Sequence, residues 1–468
     1  MGDIEKNQEK GGGNNKVPLL HKKDDSRLFM VYFSTLISVC GSYSFGTSMG
    51  YSSPSQEPIM DELHLSYSQF SVVGSILTIG AMLGAITCGR IADYLGRKGA
   101  MRLSSAICTV GWLAIYYAKG AGLLYLGRFL TGYSSGTLSY VVPVFIGEIT
   151  PSRLRGALAS LNQLFIVIGI SVFYGIGTFV TWRVLALTGI IPCLILFVGV
   201  FFIPESPRWL AVSGKPGECE AALRTLRGPN ADISKEVNDI KEYIVSLEEL
   251  PKVSVMSLFD ESNRPAVIIS VGLMAFQQFV GINGIVFYSN SIFMQAGFDP
   301  RIGSITYALL QVFVTAIGAM LIDRSGRRPI LLISASGLLL GSLLIALSFL
   351  FKTHAVATDV SPYLAVIGVL VYIGSFSIGM GAGPWVIMAE VYPLHVKGLG
   401  GGLVTLMNWF GSWVVSFSFN FLMLWSTSGT FFLDAIICFL SIIFIFKMVP
   451  ETKGRTLEEI HASLRPSK

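Results

Sequence analysis

The sequence predicts an all-α membrane protein in which twelve transmembrane helices form two pseudo-symmetric six-helix halves. Of its 468 residues, 52% are hydrophobic and only 13% are charged, whereas soluble domains carry about 25% charged residues. Twelve apolar runs are close in length to the roughly 20 residues that cross a bilayer as a helix. Short charged motifs also recur, in the same order, in the two halves of the chain. A soluble fold could not bury this much apolar surface, so the composition favours a bilayer.

The twelve apolar runs differ in how clearly they predict a membrane span. The fourth and the eleventh are interrupted by glycine and polar residues, so no single stretch is decisive there. The other ten are more uniformly apolar. The predicted spans are 30–50, 69–89, 101–118, 123–145, 157–179, 184–203, 266–294, 304–322, 329–350, 362–388, 400–425 and 429–448.

One long polar connection separates the first six spans from the last six. Its apolar residues recur at helical spacing, which predicts short amphipathic helices. The predicted segments are a cytoplasmic N-terminal tail (1–28), a first half (29–203), a cytoplasmic linker (204–265), a second half (266–449) and a cytoplasmic C-terminal tail (450–468).

The lysine and arginine residues predict the orientation in the membrane. If the N-terminus is cytoplasmic, 29 of the 34 cationic side chains fall in cytoplasmic segments. Cytoplasmic loops of membrane proteins carry this excess of Lys and Arg. Both tails and the linker are therefore expected in the cytoplasm.

Three short motifs of the first half return in the second half at nearly constant offsets of 230, 242 and 246 residues. Two related six-helix halves imply a substrate site between them, near the middle of the membrane. The pairs are Asp93…Gly96-Arg97-Lys98 with Asp323…Gly326-Arg327-Arg328, Glu148…Pro151 with Glu390…Pro393, and Pro204-Glu205-Ser206 with Pro450-Glu451-Thr452.

The glutamates of the second motif, Glu148 and Glu390, lie late in apolar runs, where an acidic group needs a partner. We expect a charge network at the cytoplasmic end of each half that locks these ends together while the site faces outward. The alternative is that the basic loops only maintain orientation and the acids are unpaired. The expected partners are Arg97 or Arg155 for Glu148 and Arg327, Arg328 or Lys397 for Glu390, with Asp93 and Asp323 in the same turns.

Taken together, the motifs give the chain a clear resemblance. From about residue 28 to 460 it resembles the sugar porter family of the major facilitator superfamily, and within that family the plant early-responsive-to-dehydration-six-like monosaccharide transporters. The motifs are Gly89-Arg90…Asp93…Gly96-Arg97-Lys98, Glu148…Pro151…Arg155-Gly156, Pro204-Glu205-Ser206-Pro207-Arg208, Gln277-Gln278…Gly281-Ile282-Asn283, Gly383-Pro384-Trp385…Glu390 and Pro450-Glu451-Thr452-Lys453-Gly454-Arg455.

The spans contain at least five amide side chains, which are costly in lipid unless they face protein or water. A sugar needs groups that both donate and accept hydrogen bonds, together with an aromatic platform. The alternatives are hydrogen bonds between helices for the amides and plain packing for the tryptophans. The resemblance implies sugar contacts for Gln163, Gln277, Gln278, Asn283, Trp385 and Asn408, and Tyr288, Gln311 and Trp409 are further candidates.

Two positions depart from the family pattern. The family usually has asparagine where this chain has Gln311, and often an acidic or amide residue near Ser377. Either change could alter which sugar epimer is accepted. The glycine-rich run 379–384 before Trp385 is expected to break span 10 and form a hinge.

The first span bears on the mode of transport. Proton-coupled members of the family resemble Phe-Gly-Tyr-Asp where this chain has Phe45-Gly46-Thr47-Ser48. A serine does not titrate in the physiological range, which favours facilitated diffusion over proton symport. Asp434 in span 12 is the remaining acid, and we expect it to have a local partner or to reach the membrane surface. The alternative is a role in proton binding.

The expected function is transport of a monosaccharide, of hexose type, by alternating access. The alternatives are an inositol or polyol transporter, a proton-coupled sugar transporter, or a non-transporting sugar sensor. No enzyme activity, cofactor, metal or nucleic-acid partner is expected, and the six cysteines lack metal-binding spacing. Leu19 and Leu20 in the N-terminal tail could bind a sorting adaptor, so the vacuolar membrane or the plasma membrane is the expected location.

Overall fold

The computed structural model describes residues 19–151, 154–229, 231–248, 254–393 and 396–453, and in these ranges the regular structure is helical throughout. Helical geometry satisfies every backbone amide within its own segment, which lipid requires. The twelve-helix, two-half architecture expected from the sequence is confirmed. We number the spans 1 to 12, and call spans 1–6 the first half and spans 7–12 the second half.

The first half contains spans 1 to 6 and a short helix, Ser52–Leu63, that follows span 1. Spans 2 and 3 form one helical segment, which Gly96 divides because its φ of 78° is not helical. The spans of this half lie in Leu19–Gly50, Tyr67–Tyr116 (spans 2 and 3), Ala121–Ile149, Arg155–Gly177 and Trp182–Gly199, the last continued by a 3₁₀ turn, Val200–Phe202.

Spans 7 and 10 of the second half are interrupted, whereas the other four are continuous. Span 7 consists of Arg264–Phe279 and Ile282–Ala296. Span 10 consists of Ser361–Ser375, a π-helical turn Phe376–Met380, and Gly383–Val391. The remaining spans are Pro300–Ser325, Arg327–Thr353, Lys397–Trp425 and Thr427–Met448.

Nine helical segments in the described ranges are long and apolar enough to cross a membrane, and one of these, Tyr67–Tyr116, holds two spans. The two remaining spans are the fourth and the eleventh, each in a helix of 29 residues. These are the two runs that glycine and polar residues interrupt in the sequence. These two helices are long enough to cross a membrane, although their hydropathy alone does not identify them as spans.

In its described residues the linker contains three short α-helices, Pro207–Val212, Pro216–Arg227 and Ser234–Glu248, and a 3₁₀ turn, Val255–Phe259. Their apolar sides form a small core of their own that includes Leu210 and Leu223. This unit is attached to the first half, since Arg227 Nη1 donates to the carbonyl of Ile149 at 2.9 Å. We call the membrane side on which the linker lies the linker side and the opposite side the far side.

Glycines allow spans 2 and 4 to approach very closely. A Cβ atom added at Gly132 would lie 2.0 Å from the carbonyl oxygen of Leu77, and one at Gly136 would lie 2.0 Å from that of Ala81. Contacts this short would force the two backbones apart. Small residues that permit close packing are a main source of helix association in lipid.

The substitution Gly136→Ala is therefore expected to lower the thermal stability of the purified protein in detergent, because overpacking of this kind costs about 1–3 kcal/mol. Gly147→Ala in the same helix is the matched control, since a Cβ there meets nothing within 4 Å. We expect a lower melting temperature for Gly136→Ala and an unchanged or higher one for Gly147→Ala. Equal melting temperatures for Gly136→Ala and the unmodified protein would show that the close packing contributes nothing.

Candidate functional site

The break in span 7 is the local feature that assembles the candidate site. Gly281 lies between the two half-helices with φ +98°, a left-handed conformation that residues with a side chain rarely adopt. The first half-helix ends at Phe279 and the second begins at Ile282, with Gly281 in the turn between them. Gln277 and Gln278 therefore lie just before the break and Asn283 just after it.

The amides around this break form one connected hydrogen-bonded cluster, which we call the amide cluster: Gln277, Gln278, Asn283 and Asn408. Asn283 Nδ2 donates to Gln278 Oε1 at 2.6 Å. Gln278 Nε2 donates to Asn408 Oδ1 at 2.7 Å and to Gln277 Oε1 at 3.2 Å. The cluster thus joins span 7 to span 11.

Gln277 also binds the second interrupted helix. Its Nε2 donates to the carbonyls of Met380 and Gly381, at 2.6 and 2.9 Å, where span 10 is broken. The break expected from the glycine-rich run is therefore present, and a side chain of the amide cluster stabilises it. Trp385 begins the next segment of span 10 and is partly buried against the main hydrophobic core. The two breaks are coupled through Gln277.

The other sequence-predicted residues are less closely connected to the cluster. Gln163 is exposed, whereas its neighbour Asn162 accepts a hydrogen bond from Ser42 at 2.7 Å. Gln311 is 5% exposed, and its Oε1 has no hydrogen-bond partner in the described residues. Trp409 packs against Phe45 of the first half, with ring centroids 5.9 Å apart.

Tyr288 has a structural position in the far-side half of span 7. Its hydroxyl donates to the carbonyl of Ser416 at 3.0 Å. Its ring stacks on Phe419 with centroids 5.3 Å apart and is 1% exposed. Tyr288 therefore packs between spans 7 and 11, and its hydroxyl is already occupied.

The two halves are joined on the far side by a group of hydrogen bonds that we call the far-side seal. All five hydrogen bonds between the halves in the described parts of the chain belong to it. They involve hydroxyl, amide and backbone groups, and none involves a charged side chain. They are Ser53–Ser289 (Oγ to Oγ, 2.8 Å), Asn290 N to Ser53 Oγ (3.0 Å), Asn420 Nδ2 to Ser71 Oγ (3.1 Å), Ser171 Oγ to Ala308 O (3.1 Å) and Tyr174 hydroxyl to Val286 O.

On the linker side, the glutamates of the repeated motif pair within their own halves. Arg97 binds Glu148 through two parallel hydrogen bonds of 2.9 Å, and its Nη1 lies 3.4 Å from Asp93. Arg327 Nη2 lies 3.3 Å from Glu390 in the second half. A forked arginine–carboxylate contact is strong and directional. Each pair therefore fixes helix ends of one half to each other.

The other expected partners of these glutamates are not used in this conformation. Arg155 is exposed, and neither it nor Lys397 forms an ion pair with any residue that the structure describes. Arg328 instead donates to the carbonyl of Phe446 and lies over its ring. The side chain of Asp323 lies outside the described residues. No charge contact within the described ranges crosses between the halves on the linker side.

Two further carboxylates act at the same helix ends, and we had expected no role for them from the sequence. Glu205 accepts hydrogen bonds from the backbone N–H of Lys98 and of Ser206, at 3.1 and 2.8 Å. Glu451 accepts from the backbone N–H of Arg327 and of Arg328, at 3.0 and 3.1 Å. Each caps the start of a span, because the first N–H groups of a helix have no partner within it. The repeated Pro-Glu motif was the signal that could have found them.

The two capping carboxylates differ in their electrostatics. Burial raises the pKa of Glu205, although hydrogen bonds from backbone N–H groups act against it. Burial also acts to raise the pKa of Glu451, but there the backbone hydrogen bonds outweigh it and the net pKa is lowered. Glu205 is the more deeply enclosed of the two.

Arg128 of span 4 is fully buried without a carboxylate partner in the described residues. Its Nη1 donates to the carbonyl of Ser48 at 2.8 Å and its Nη2 to Ser52 Oγ at 2.7 Å. The Ser48 hydroxyl donates to the carbonyl of Ser44, one turn earlier in its own helix, at 3.0 Å. Ser48 therefore offers Arg128 its backbone oxygen, and its side chain stays within span 1.

Asp434 corrects one expectation from the sequence. We expected a local partner or a side chain that reaches the membrane surface. The residue is 6% exposed, and its Oδ2 has no hydrogen-bond partner in the part of the chain that the structure describes. It lies inside the second half, next to Gly281. Neither part of the expectation was correct.

Comparison with known proteins identifies the family. Residues 28–464 match the family model described as "Sugar (and other) transporter". The chain belongs to the sugar porter family. It is 60% identical to sugar transporter ERD6-like 8 of Arabidopsis thaliana over 468 residues, covering 99% of this chain and 98% of that protein. It is 52% identical to sugar transporter ERD6-like 16 of the same plant over 473 residues, covering 98% of each.

Solved structures show the same fold. The inward-open xylose transporter XylE from E. coli matches with a TM-score of 0.78 at 24% identity, covering 92% of this chain and 99% of that one. The proton:xylose symporter XylE bound to 6-bromo-6-deoxy-D-glucose matches with a TM-score of 0.75 at 24% identity, covering 94% and 100%. The protein is therefore an integral multi-pass membrane transporter of the sugar porter family, and it is not an enzyme.

The far-side seal can be tested with a cross-link. The Ser53 and Ser289 hydroxyl oxygens are 2.8 Å apart, so cysteines at both positions can form a disulfide without large backbone movement. We expect the Ser53→Cys/Ser289→Cys double variant, reconstituted in liposomes, to lose sugar transport on mild oxidation and to regain it on reduction.

The two single-cysteine variants are the controls and should be insensitive to oxidant. They also report on the six native cysteines, of which five are buried. If the double variant is shown by mass spectrometry to be cross-linked and still transports at the reduced rate, the far side does not need to open.

Proposed function

We propose that the protein carries monosaccharides of hexose type by alternating access, as a facilitated-diffusion carrier. The observation that supports this most strongly is the amide cluster at the break of span 7, which joins spans 7 and 11 beside Trp409, whose ring packs on Phe45 of the first half. Amides donate and accept at once, so they can exchange bonds to each other for bonds to the hydroxyls of a sugar. Gln163 and Gln311, with an exposed amide and an unpaired oxygen respectively, supply further groups of this kind.

A neutral cargo fits this site better than an anion. An anionic substrate requires a cation in the cavity, and Arg128 is the only arginine or lysine that the sequence places within a span away from its ends. Its guanidinium is fully buried and already donates to Ser48, Ser52 and the carbonyl of Val73. It therefore acts as a structural cation between spans 1, 2 and 4.

The far-side seal and the linker-side charges together support a mechanism in which the two sides of the protein open in turn. The seal consists of neutral hydrogen bonds, each worth about 0.5–1.5 kcal/mol net, so opening it is not costly. When it opens, we propose that the linker side closes and that Arg155 and Lys397 pair across the halves with the glutamates of the charge network. The site is then exposed to one side at a time.

Facilitated diffusion is favoured by the first span. The position that is acidic in the proton-coupled pattern holds Ser48, whose hydroxyl is bound to its own helix and cannot carry a proton in the physiological range. Arg128 correspondingly binds a carbonyl there and, within the described ranges, no carboxylate. This arrangement supports the proposal that sugar moves downhill.

A second candidate cargo is an inositol or another polyol, because the amide cluster recognises hydroxyls whatever ring carries them. We place both termini and the linker in the cytoplasm, from the distribution of Lys and Arg, and the protein in the vacuolar or the plasma membrane. Leu19 and Leu20 begin the helical segment that contains span 1. Their side chains lie outside the described residues, and adaptor binding there stays a prediction.

Reconstitution in liposomes tests the proposed function. Labelled hexoses, pentoses and myo-inositol are offered with and without an inward proton gradient. We expect a hexose to equilibrate to the same internal and external concentration in both conditions. Accumulation above the external concentration with the gradient would contradict facilitated diffusion, and preference for myo-inositol would favour the second cargo.

The same assay tests the amide cluster. We expect Asn283→Ala to raise the KM for the hexose about tenfold, because a lost hydrogen bond of about 1.4 kcal/mol corresponds to a factor of ten. Asn162→Ala is the control, since the Asn162 amide is bound to Ser42 within the first half. If the two variants had the same KM as the unmodified protein, the cluster would be a purely structural contact between helices.

A further inference from the structure

The carboxyl group of Asp434 lies directly against the break of span 7. A Cβ added at Gly281 would lie 2.5 Å from Asp434 Oδ2, 2.8 Å from its Cγ and 3.0 Å from its Oδ1. The carboxyl therefore occupies the space beside Gly281 that any other residue would need. It contacts the backbone at the point where the chain turns from one half-helix into the next.

Among the described residues, no side chain is placed to neutralise this carboxyl or to bind its Oδ2. Tyr372 faces it from span 10, but its hydroxyl already donates to the carbonyl of Val280 at 2.9 Å. Cys438 lies one turn further along the same helix, with its thiol 4.0 Å from Ser342 Oγ of span 9. The packed segments carry no charged residue, and these are 265–296 of span 7, 329–351 of span 9, 361–389 of span 10 and 398–425 of span 11.

An ionised carboxylate in such a place is very costly, because no counter-charge in the described residues offsets the loss of its hydration. A protonated carboxyl avoids most of this cost. It also has an O–H group that can donate to a carbonyl of the break. The group beside Gly281 is therefore suited to hold a proton.

We propose that Asp434 is a proton-binding site whose occupancy controls the break of span 7, and through it the affinity of the amide cluster for sugar. Gln278 lies three residues before Gly281 and Asn283 lies two residues after it. With the proton bound, the carboxyl packs on Gly281 as observed. Without it, the negative charge is drawn to the free N–H groups at the start of Ile282–Ala296, where a helix attracts anions, and the break is displaced.

This proton is a regulator and is not carried with the sugar. Asp434 lies within the second half, where its carboxyl packs on Gly281 of span 7, and none of the hydrogen bonds between the halves in the described residues involves it. Movement of the halves therefore does not by itself expose it to one side and then the other. The inference rests on the proposed sugar transport, and one of the two measurements below does not depend on it.

The first measurement is equilibrium exchange of labelled glucose across liposomes with the same pH on both sides. We expect the exchange rate of the unmodified protein to fall as the pH rises, approaching a tenfold loss per pH unit where the proton is being lost. Asp434→Asn is neutral at every pH. At every pH it should therefore exchange glucose at the rate that the unmodified protein shows at low pH. Asp359→Asn, at an exposed acid of a far-side loop, is the control and should keep the unmodified profile.

The second measurement is infrared difference spectroscopy of the purified protein at neutral pH. In the unmodified protein we expect a band from the carbonyl stretch of a protonated carboxylic acid. This band should be absent from Asp434→Asn and present in Asp359→Asn. This readout works whether or not glucose is the cargo, so a failure of the proposed function leaves the proton site testable.

Three results would overturn the proposal. One is a pH profile of Asp434→Asn that matches the unmodified protein. Another is the absence of any carboxylic acid band that the substitution removes. The third is a rate that follows the concentration of sodium or potassium at constant pH, which would assign the site to a metal cation.

Discussion

A polar group inside a bilayer has no water to bind, so it must find its partner within the protein. The glutamines and asparagines at the break of span 7 meet this requirement by binding one another and the backbone of span 10. The same bonds make them available to a ligand, because a sugar hydroxyl offers each amide an equivalent donor or acceptor. The left-handed Gly281 is what brings them together, since an unbroken helix would place Gln278 and Asn283 on different faces. Substrate recognition and the stability of the two interrupted helices thus depend on one set of contacts.

The two sides of the molecule satisfy this requirement in different ways. On the far side, serine hydroxyls, amides and carbonyls join the halves, and these bonds are individually weak. On the linker side, arginines and carboxylates hold helix ends together within each half. Glu205 and Glu451 add to this by capping the spans that begin after Gly96 and Gly326. Each half is therefore rigid on the linker side, where the charged pairs lie. The hydrogen bonds between the halves on the far side are weak, and these must break during transport.

The sequence predicted the parts of this arrangement that depend on pattern and local composition. Length and hydropathy identified the spans, including the uncertain fourth and eleventh, and the glycine-rich run located the break in span 10. The charge network was predicted as a set of alternatives. The sequence could not decide whether Arg97 or Arg155 binds Glu148, because that depends on the geometry of the turn at Gly96. The repeated Pro-Glu motif marked Glu205, but its partner could not be predicted, because Lys98 lies 107 residues earlier in the chain.

The far-side seal and the isolation of Asp434 were also beyond the sequence. A serine such as Ser53 is common in membrane helices, and nothing in the pattern shows which serine it meets. The expectation for Asp434 assumed that an acid near a span end reaches water, but the packing of spans 7, 9 and 10 around it prevents this. Both depend on contacts between segments far apart in the chain.

Alternating access is the central claim, and pulsed electron paramagnetic resonance tests it most directly. Spin labels at Tyr94 and Lys447 report the linker side across the two halves, and labels at Lys119 and Asp359 report the far side; all four positions are exposed. The account predicts that hexose shifts the two distance distributions in opposite directions, so that one side opens as the other closes. Distances that do not change with hexose, or that open together on both sides, would contradict it.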